Sequence, residues 1–312
     1  MKTKTRKRVL LAAVLAALCI LLLGGMYAMY RASFYHTGFS TDYRETWPPY
    51  QERREELFEQ MTTEPSEEVQ ITSDDGLLLK GHYYCNQEGA PLVLFFHGYK
   101  TYLYNNSLSV FDICRKLGYN LLIVSQRAQN ESDGHTITMG LKERYDCLAW
   151  ANWAADRSGR ETPMFLMGTS MGGGTVMMAS ALELPSNVRA IVEDCGFSSP
   201  SVIYRKYIGD IVPQFLVGPL YQLGRCGARL FGGFNIEETD CLTALSQTDL
   251  PVLFIHGEGD QQVPCWMAEE CYQAAAGDKQ LLLIPEADHT QAYYADTERY
   301  METITAFFEK YL

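Results

Sequence analysis

The stretch MFLMGTSMGGG, residues 164–174, joins an apolar run to a cluster of glycines and places one serine between them. Ser170 is the third residue of the pentapeptide Gly-Thr-Ser-Met-Gly at residues 168–172. A G-x-S-x-G sequence between a strand and a helix is typical of a sharp turn that presents a serine hydroxyl. The pentapeptide alone fits either a nucleophile or a hydroxyl in a glycine-rich turn, so the elements around it decide between the two.

Short apolar segments alternate with longer amphipathic ones on both sides of this turn. Five of the apolar segments predict buried strands: residues 91–98, 119–125, 188–194, 251–257 and 279–285. Residues 108–118 and 141–157 predict helices, and a closing helix is predicted from about residue 292 to 311. An Asp-Asp-Gly turn at residues 74–76 predicts a hairpin before them. This alternation predicts an α/β fold with a mostly parallel sheet covered by helices on both faces.

The segment between residues 196 and 250 interrupts the alternation because it contains no buried-strand pattern. Residues 201–234 are rich in Tyr, Phe, Leu, Val and Ile and are broken by prolines and glycines. We interpret residues 197–248 as a helical lid over the carboxyl ends of the strands, where it supplies the apolar wall of a substrate pocket. An ordinary surface insertion is the alternative.

The 312-residue chain carries its charge unevenly. The formal net charge is −12, but five basic residues precede residue 9, so the remainder has 21 basic and 38 acidic residues, or −17. A body this acidic repels nucleic acid and anionic lipid headgroups, so no nucleic-acid partner is predicted. The nine cysteines are scattered without a C-x-x-C pair, so no structural zinc site is predicted. If the body is extracytoplasmic, one or two disulfides are an open alternative, and the sequence does not fix their pairing.

An uncharged segment of 22 residues, 9–30, follows the basic residues at the N-terminus. As a helix it spans about 33 Å, enough to cross a bilayer. We predict a single-pass anchor at residues 9–30 in the cell membrane, a cytoplasmic tail at 1–8 and an extracytoplasmic body. A cleaved signal peptide is the alternative, although no clean A-x-A cleavage site follows. Residues 31–67 are predicted as a connector, and residues 68–312 as the folded α/β domain.

The connector is expected to break at Trp47-Pro48-Pro49 and then to form a charged helix over residues 51–61 that stops before Pro65.

Two groups that a serine nucleophile needs follow predicted strands farther along the chain. A serine hydroxyl requires a histidine to take its proton and a carboxylate to hold that histidine. Asp260 follows the strand at residues 251–257, and His289 follows the strand at 279–285. Since the carboxyl ends of parallel strands meet at one edge of a sheet, both are expected beside Ser170. Asp194 also ends a strand and is the rival acid.

The other histidines and charged residues near these motifs are expected to have structural or solvent-exposed positions. His97 is predicted to have a structural or loop-positioning role, and His256 is predicted to be packed and hydrogen-bonded. Three are placed at the surface, at the pocket rim or in the connector: His82, His135 and His36. Asp288 is predicted to be solvated although it precedes His289. Arg127 and Asp146 are predicted to pair and to brace the loop after the fourth strand.

The order of these motifs resembles that of the α/β-hydrolase superfamily, and in particular bacterial membrane-anchored hydrolases of the serine-aminopeptidase-like group. The matching stretches cover about residues 68–311: FFHGY at 95–99, SQRAQNESDGHTITMGLKERYD at 125–146, GTSMGG at 168–173, EDCGFSS at 193–199, IHGEGDQQVP at 255–264 and DH at 288–289. The resemblance implies the α/β-hydrolase fold. It also implies Ser170 as nucleophile, Asp260 as acid, His289 as base, and an oxyanion hole made by the backbone N–H groups of Tyr99 and Met171.

The chain departs from this family's pattern at two places. Ser125 stands where relatives often carry aspartate, and Ala128-Gln129 stands where glycine or histidine is frequent. Both places are expected near the pocket rim, so the departures bear on the substrate more than on catalysis.

These features predict a serine hydrolase that cleaves a carboxylic ester or related acyl bond through an acyl-enzyme. The expected partners are a small-molecule acyl ester or peptide and the membrane, and no metal or organic cofactor is implied. The alternatives are a peptidase or acyltransferase with the same three residues, a pocket-bearing binding protein without turnover, and a cell-surface structural or interaction protein. The sequence leaves the substrate and the oligomeric state open.

Overall fold

One eight-stranded sheet forms the centre of the computed structural model, which describes residues 2–36 and 50–312. The strands are β1 Glu67–Thr72, β2 Leu78–Tyr84, β3 Leu92–Phe96, β4 Asn120–Val124, β5 Met164–Thr169, β6 Val188–Asp194, β7 Val252–Gly257 and β8 Lys279–Ile284. Their order is β1-β2-β4-β3-β5-β6-β7-β8. Strand β2 is antiparallel to β1 and β4, and every other pair is parallel. The predicted mostly parallel sheet is therefore confirmed.

Helices follow or precede most of the strands. They are α1 Lys2–Ser33, α2 Gln51–Thr63, α3 Leu103–Leu117, α4 Glu143–Ser158, α5 Met171–Ala179, α6 Pro200–Ile211, α7 Gln214–Gly227, α8 Cys241–Leu245, α9 Trp266–Ala274, α10 Ala292–Ala295 and α11 Thr297–Lys310. A π-helical turn, Ala228–Gly232, follows α7. The predicted break at Trp47-Pro48-Pro49 lies outside the described residues.

Both faces of the sheet are covered, which explains the continuous apolar runs in the sequence. Alternate residues of β3 point to opposite faces: Leu94 belongs to the cluster that contains Trp150 of α4, whereas Phe95 belongs to the one that contains Phe308 of α11. All five residues of β3 are buried. The carboxyl end of this buried sheet is consequently a fixed platform for loop residues.

The predicted closing helix at residues 292–311 is two helices in the structure. Helix α10 ends at Ala295, and Asp296 then caps α11 by accepting a hydrogen bond from the N–H of Arg299 at 3.1 Å. An aspartate at the N-cap starts a new helix because it satisfies an unpaired backbone N–H. The apolar spacing is nearly continuous through this point, so it did not reveal the break.

Helix α1 is continuous from the N-terminal residues into the folded domain. It is long and apolar enough to cross a membrane. Its residues 5–24 are exposed, whereas Tyr30 and Phe34 at its end are buried. The Phe34 ring packs against the rings of Tyr204 and Phe234, with centroids 4.9 and 5.2 Å away. The end of α1 is therefore built into the domain.

The described part of the predicted connector also packs against the domain. Helix α2 lies on α3, and its Leu57 and Met61 are buried in the cluster on that side of the sheet. Residues 34–36 are held by backbone hydrogen bonds to residues 135 and 137, the nearest being 2.8 Å. These contacts make both segments structural parts of the domain.

The segment between β6 and β7 is helical, as predicted from the missing strand pattern. Helices α6 and α7 form an antiparallel hairpin, which we call the α6–α7 hairpin, with Tyr204 packed against Gly224 and Gly209 against Val217. Lys206 Nζ on α6 donates to the backbone oxygen of Gln261 at 2.7 Å. The hairpin thus lies beside the loop that follows β7.

Candidate active site

Ser170 occupies a sharp turn between β5 and α5. Its backbone has φ 56° and ψ −117°, a conformation that residues with side chains rarely adopt. Its N–H donates to the backbone oxygen of Asp194 at 2.8 Å, and its carbonyl accepts from Gly174 at 3.1 Å. These bonds fix the hydroxyl at the positive end of α5.

Two glycines allow the strand and the helix of this turn to touch. A Cβ atom on Gly172 would lie 1.9 Å from the backbone oxygen of Phe96, and one on Gly168 would lie 2.2 Å from the carbonyl carbon of Gly172. Both contacts are with backbone atoms, so no side-chain rotation relieves them. Glycine is required at both positions for steric reasons.

We expect Gly172→Ala to lower the free energy of unfolding by about 3 kcal/mol or more, because the added methyl group overlaps backbone. Urea denaturation in detergent, followed by circular dichroism, measures the loss. Gly218→Ala is the matched control, since a Cβ there meets no atom within 4 Å. Similar denaturation midpoints for the two variants would contradict this account of the turn.

Ser170, His289 and Asp260 form one hydrogen-bonded row at the carboxyl edge of the sheet. His289 Nε2 lies 2.9 Å from Ser170 Oγ, and His289 Nδ1 lies 2.6 Å from Asp260 Oδ2. The three side chains follow β5, β8 and β7, and all three residues are buried. In this geometry an imidazole can take the hydroxyl proton while the carboxylate holds its other nitrogen.

The Asp260 carboxylate is held in its charged form. Its Oδ1 accepts from the backbone N–H groups of Gln262 and Val263, each at 2.8 Å. Burial by itself raises the pKa of Asp260, but hydrogen bonds from His256, His289 and Val263 outweigh burial and lower that pKa to about 2. At neutral pH the carboxylate is consequently ionised and able to stabilise an imidazolium.

His256 is packed inside the domain, as predicted, but it also faces the Asp260 carboxylate. Its Nε2 donates to the backbone oxygen of Val263 at 2.7 Å and lies 3.3 Å from Asp260 Oδ2. Burial by itself lowers the pKa of His256. The nearby carboxylates of Asp260 and Glu193 outweigh burial, so the pKa of His256 is raised. Two histidines therefore share one carboxylate. The spacing His-x-x-x-Asp at the end of β7 is the sequence signal for this second contact.

Asp194, the rival acid, is hydrogen-bonded to a different side chain. Its Oδ2 accepts a hydrogen bond from the Tyr300 hydroxyl at 2.9 Å. Burial raises the pKa of Asp194 to about 6. Within the described residues, Asp260 is the carboxylate that is hydrogen-bonded to the His289 imidazole, whereas the Asp288 carboxylate accepts from the His289 backbone N–H at 2.8 Å.

The backbone N–H groups expected to form an oxyanion hole are those of Tyr99 and Met171. Met171 is the first residue of α5, so its N–H has no acceptor one turn earlier in the helix. Tyr99 follows Gly98, where a Cβ would lie 3.5 Å from Ser170 Cβ. Neither N–H donates a backbone hydrogen bond in the described part of the chain. Backbone N–H groups without an acceptor are the donors that an oxyanion hole requires.

The loop after β4 fixes the loop that carries Tyr99. His97 Nδ1 donates to the backbone oxygen of Gly98 at 2.7 Å, and its Nε2 accepts from the Gln126 N–H at 3.1 Å. Burial lowers the pKa of His97 to about 4, so the ring is neutral and structural, as predicted. Gln129 Oε1 accepts from the Lys100 N–H at 2.5 Å.

Three residues expected near the pocket rim are buried: Ser125, Ala128 and Gln129. Gln129 acts on the loop that carries Tyr99, and no pattern in the sequence signals that contact. His82 is also buried rather than at the surface or rim: its ring lies 6.0 Å from the Tyr104 ring, and its Nε2 lies 3.2 Å from Glu131 Oε2.

The predicted pairing of Arg127 with Asp146 is confirmed. Arg127 Nε and Nη2 donate to the two carboxylate oxygens of Asp146, each at 2.6 Å. Arg127 also bonds Asp75 in the β1–β2 turn, at 2.8 and 3.1 Å. His135 and Asp288 are exposed, as expected.

One group of possible metal ligands lies at the row itself. Cys195, Asp260 and His289 bring a sulfur, an oxygen and a nitrogen within 4.8 Å of one another. Asp260 and His289 are hydrogen-bonded to each other, and burial raises the pKa of the Cys195 thiol well above its usual range. A cation would need a deprotonated thiolate and free carboxylate and imidazole atoms. Cys195 keeps its proton and Asp260 is already bonded to His289, so these three residues suit a hydrogen-bonded row better than a metal site.

Glu193, at the end of β6, is fully buried, and its pKa is raised above that of a free glutamate. Its Oε2 accepts from the Gly196 N–H at 2.8 Å. Burial raises the pKa of Glu193 from 4.5 to about 7. Between these two values the native state keeps a proton that the unfolded chain releases, so rising pH lowers stability across this window.

We expect Glu193→Gln to flatten the fall in stability between about pH 4.5 and 7, because the amide does not titrate. Urea midpoints measured at a series of pH values test this. Glu88→Gln, at an exposed position, serves as the control and is expected to keep the wild-type slope. An unchanged slope in the Glu193 variant would show that another group controls this pH window.

The comparisons with known proteins agree with this architecture. A family model described as alpha/beta hydrolase fold matches residues 91–216. The chain is 24% identical over 241 residues to the uncharacterized protein YqkD of Bacillus subtilis, covering 77% of this chain and 78% of that one. It is 23% identical over 256 residues to the alpha/beta hydrolase domain-containing protein WAV2 of Arabidopsis thaliana, covering 78% and 79%.

Among solved structures, the esterase Pf2001 of Pyrococcus furiosus is similar to this chain in fold. The two superpose with a TM-score of 0.64 at 20% identity, covering 89% of this chain and 98% of the esterase.

Proposed function

We propose that this protein, which has the α/β-hydrolase fold, is a serine hydrolase that cleaves a carboxylic ester or a related acyl bond. The observation that carries the proposal is the row from Ser170 Oγ through His289 to Asp260, with hydrogen-bond distances of 2.9 and 2.6 Å. The Pyrococcus furiosus neighbour, which is named an esterase, supports the same class of reaction.

The reaction begins when Ser170 Oγ attacks the acyl carbon and His289 Nε2 takes the hydroxyl proton. Asp260 holds the imidazole by its Nδ1–H and stabilises the positive charge. The oxyanion of the tetrahedral intermediate accepts from the N–H groups of Tyr99 and Met171. The leaving alcohol takes the proton from His289, and a water molecule activated by His289 then releases the acid from Ser170.

The preference for esters is tested with paired chromogenic substrates. The full-length protein in detergent is incubated with p-nitrophenyl esters of acetate to octanoate and with matching p-nitroanilides. We expect ester turnover well above amide turnover. Faster release of p-nitroaniline would favour the peptidase alternative, and folded protein that hydrolyses neither series would contradict the proposal.

We also propose that α1 is an uncleaved anchor that holds the domain at the extracytoplasmic face of the cell membrane. A Cβ on Gly25 would lie 3.5 Å from Leu223, and one on Gly227 would lie 2.3 Å from the backbone oxygen of Met26. Because α1 and α7 approach this closely, cleavage near the end of the apolar segment would remove contacts of the folded domain. The basic residues before residue 9 support an N-terminus in the cytoplasm.

The anchor proposal predicts that the protein stays with membranes during carbonate extraction and that protease added outside spheroplasts removes the domain. A cytoplasmic protein of similar size serves as the lysis control. Recovery of soluble protein that lacks about the first thirty residues would contradict an uncleaved anchor.

A further inference from the structure

The connection between α6 and α7 presents exposed apolar side chains to solvent. Ile211 is 81% exposed and Phe215 is 76% exposed, and Leu216 beside them is also exposed. Pro213 lies between the two helices. We call Ile211, Pro213, Phe215 and Leu216 the hairpin tip. An apolar patch of this kind on a folded domain marks an interaction surface.

The hairpin tip points toward the membrane-spanning part of α1. A Cβ on Gly25 would lie 3.5 Å from Leu223, and the rings of Tyr27 and Phe231 are 5.1 Å apart, so α7 and the turn after it run in the same direction as α1. Phe215 precedes Leu223 by eight residues, up to about 12 Å along a helix axis. The tip therefore extends from the domain back along the apolar helix.

The orientation of the domain relative to α1 is fixed by specific bonds. The Tyr99 hydroxyl donates to the backbone oxygen of Ser33 at 2.6 Å, and the Tyr30 hydroxyl lies 2.7 Å from Thr136 Oγ1. Helix α1 is unbroken from its apolar residues to these contacts, so the domain has a fixed orientation relative to the apolar helix. A bilayer around the apolar residues therefore always faces the same side of the domain.

The segment that carries the hairpin tip differs in charge from the rest of the domain. Residues 200–235 contain four basic side chains and one acidic one, within a body that carries −17. Arg229 is exposed and precedes two exposed apolar residues, Leu230 and Phe231, of which Phe231 packs against Tyr27 of α1. Basic residues next to exposed apolar ones are typical of segments that bind a lipid interface.

We propose that the hairpin tip enters the lipid leaflet on the domain's side of the membrane, so that acyl substrates reach Ser170 from the bilayer. The inference rests on the proposed anchor and deepens the proposed hydrolase function by naming membrane-dissolved esters as substrates. Lys206 of the same hairpin bonds the Gln261 backbone next to Asp260, which puts the hairpin beside the reacting groups.

Depth-dependent fluorescence quenching tests the tip directly. Full-length wild type and Phe215→Trp are placed in nanodiscs of phosphatidylcholine with and without brominated acyl chains, and the wild-type spectrum is subtracted. We expect the added tryptophan to lose emission in the brominated lipid. Leu312→Trp, at an exposed position at the other end of the chain, is expected to lose none.

A second experiment measures the consequence for substrates. The double variant Ile211→Asp, Phe215→Asp is expected to keep wild-type turnover of soluble p-nitrophenyl acetate. It is expected to lose about tenfold in turnover of a long-chain p-nitrophenyl ester dissolved in phosphatidylcholine vesicles, because charges in the leaflet are costly. Leu312→Asp is the control for a charge placed elsewhere.

The outcomes separate this inference from those before it. An unquenched Phe215→Trp in nanodisc-bound protein would overturn the inference and leave the anchor standing. Protein that does not incorporate into nanodiscs would overturn both. If the wild type hydrolyses no ester, the hydrolase proposal fails, while quenching of Phe215→Trp would still support the tip in the leaflet.

Discussion

Replacing Ser170 by alanine is expected to lower kcat for p-nitrophenyl ester hydrolysis by at least about 10⁴-fold. The substitution removes the atom that forms the acyl-enzyme, whereas the imidazole and the backbone donors stay in place. It leaves the positive-φ turn with the same Cβ atom, so the fold is expected to persist. Steady-state kinetics with p-nitrophenyl butyrate in detergent measure the loss.

Ser198→Ala is the matched control for this experiment. Ser198 is buried near the same sheet edge, and its hydroxyl has no hydrogen-bond partner in the described structure. Its removal is expected to leave kcat within about twofold of wild type. Comparable activity of Ser170→Ala and wild type would reject Ser170 as the nucleophile.

Asp260→Asn is expected to have the second-largest effect, a loss of about 10⁴-fold in kcat at neutral pH. The amide keeps the size of the side chain but removes the charge that stabilises the His289 imidazolium. Its NH₂ group also disfavours the tautomer in which Nδ1 carries the proton. The Asp260 pKa of about 2 means that the wild-type carboxylate is ionised throughout the assay range.

Asp194→Asn tests the rival acid under the same conditions. The amide oxygen that this substitution introduces is still able to accept from the Tyr300 hydroxyl, which is the hydrogen bond that Asp194 makes in the structure. We expect a change of no more than several-fold in kcat. A large loss at Asp194 together with a small one at Asp260 would reverse the assignment of the acid.

The parts of this molecule that local sequence determines were predictable. Wholly buried strands such as β3 are continuous apolar runs, and the Asp-Asp-Gly turn signalled the antiparallel strand at the sheet edge. The glycines around Ser170 reflect a steric requirement that holds wherever a strand turns sharply into a helix. The positions of Asp260 and His289 after β7 and β8 then followed from the topology of a parallel sheet.

Features that depend on packing between distant segments were not predictable in this way. The burial of Phe34 depends on partners about 170 and 200 residues away, and the predicted connector carried no apolar pattern that revealed it. The bond from Gln129 to the Lys100 N–H is a single polar contact without a periodic signal. Asp296 divides the last helix by one capping bond, which apolar spacing does not record.

The most direct test of the central claim is to locate the covalent adduct of a fluorophosphonate probe. Full-length protein is labelled, digested and analysed by mass spectrometry, with His289→Ala labelled in parallel. We expect the phosphonyl group on Ser170 in the wild type and strongly reduced labelling in the variant. An adduct on a different residue, or folded wild-type protein that takes up no probe, would contradict the claim.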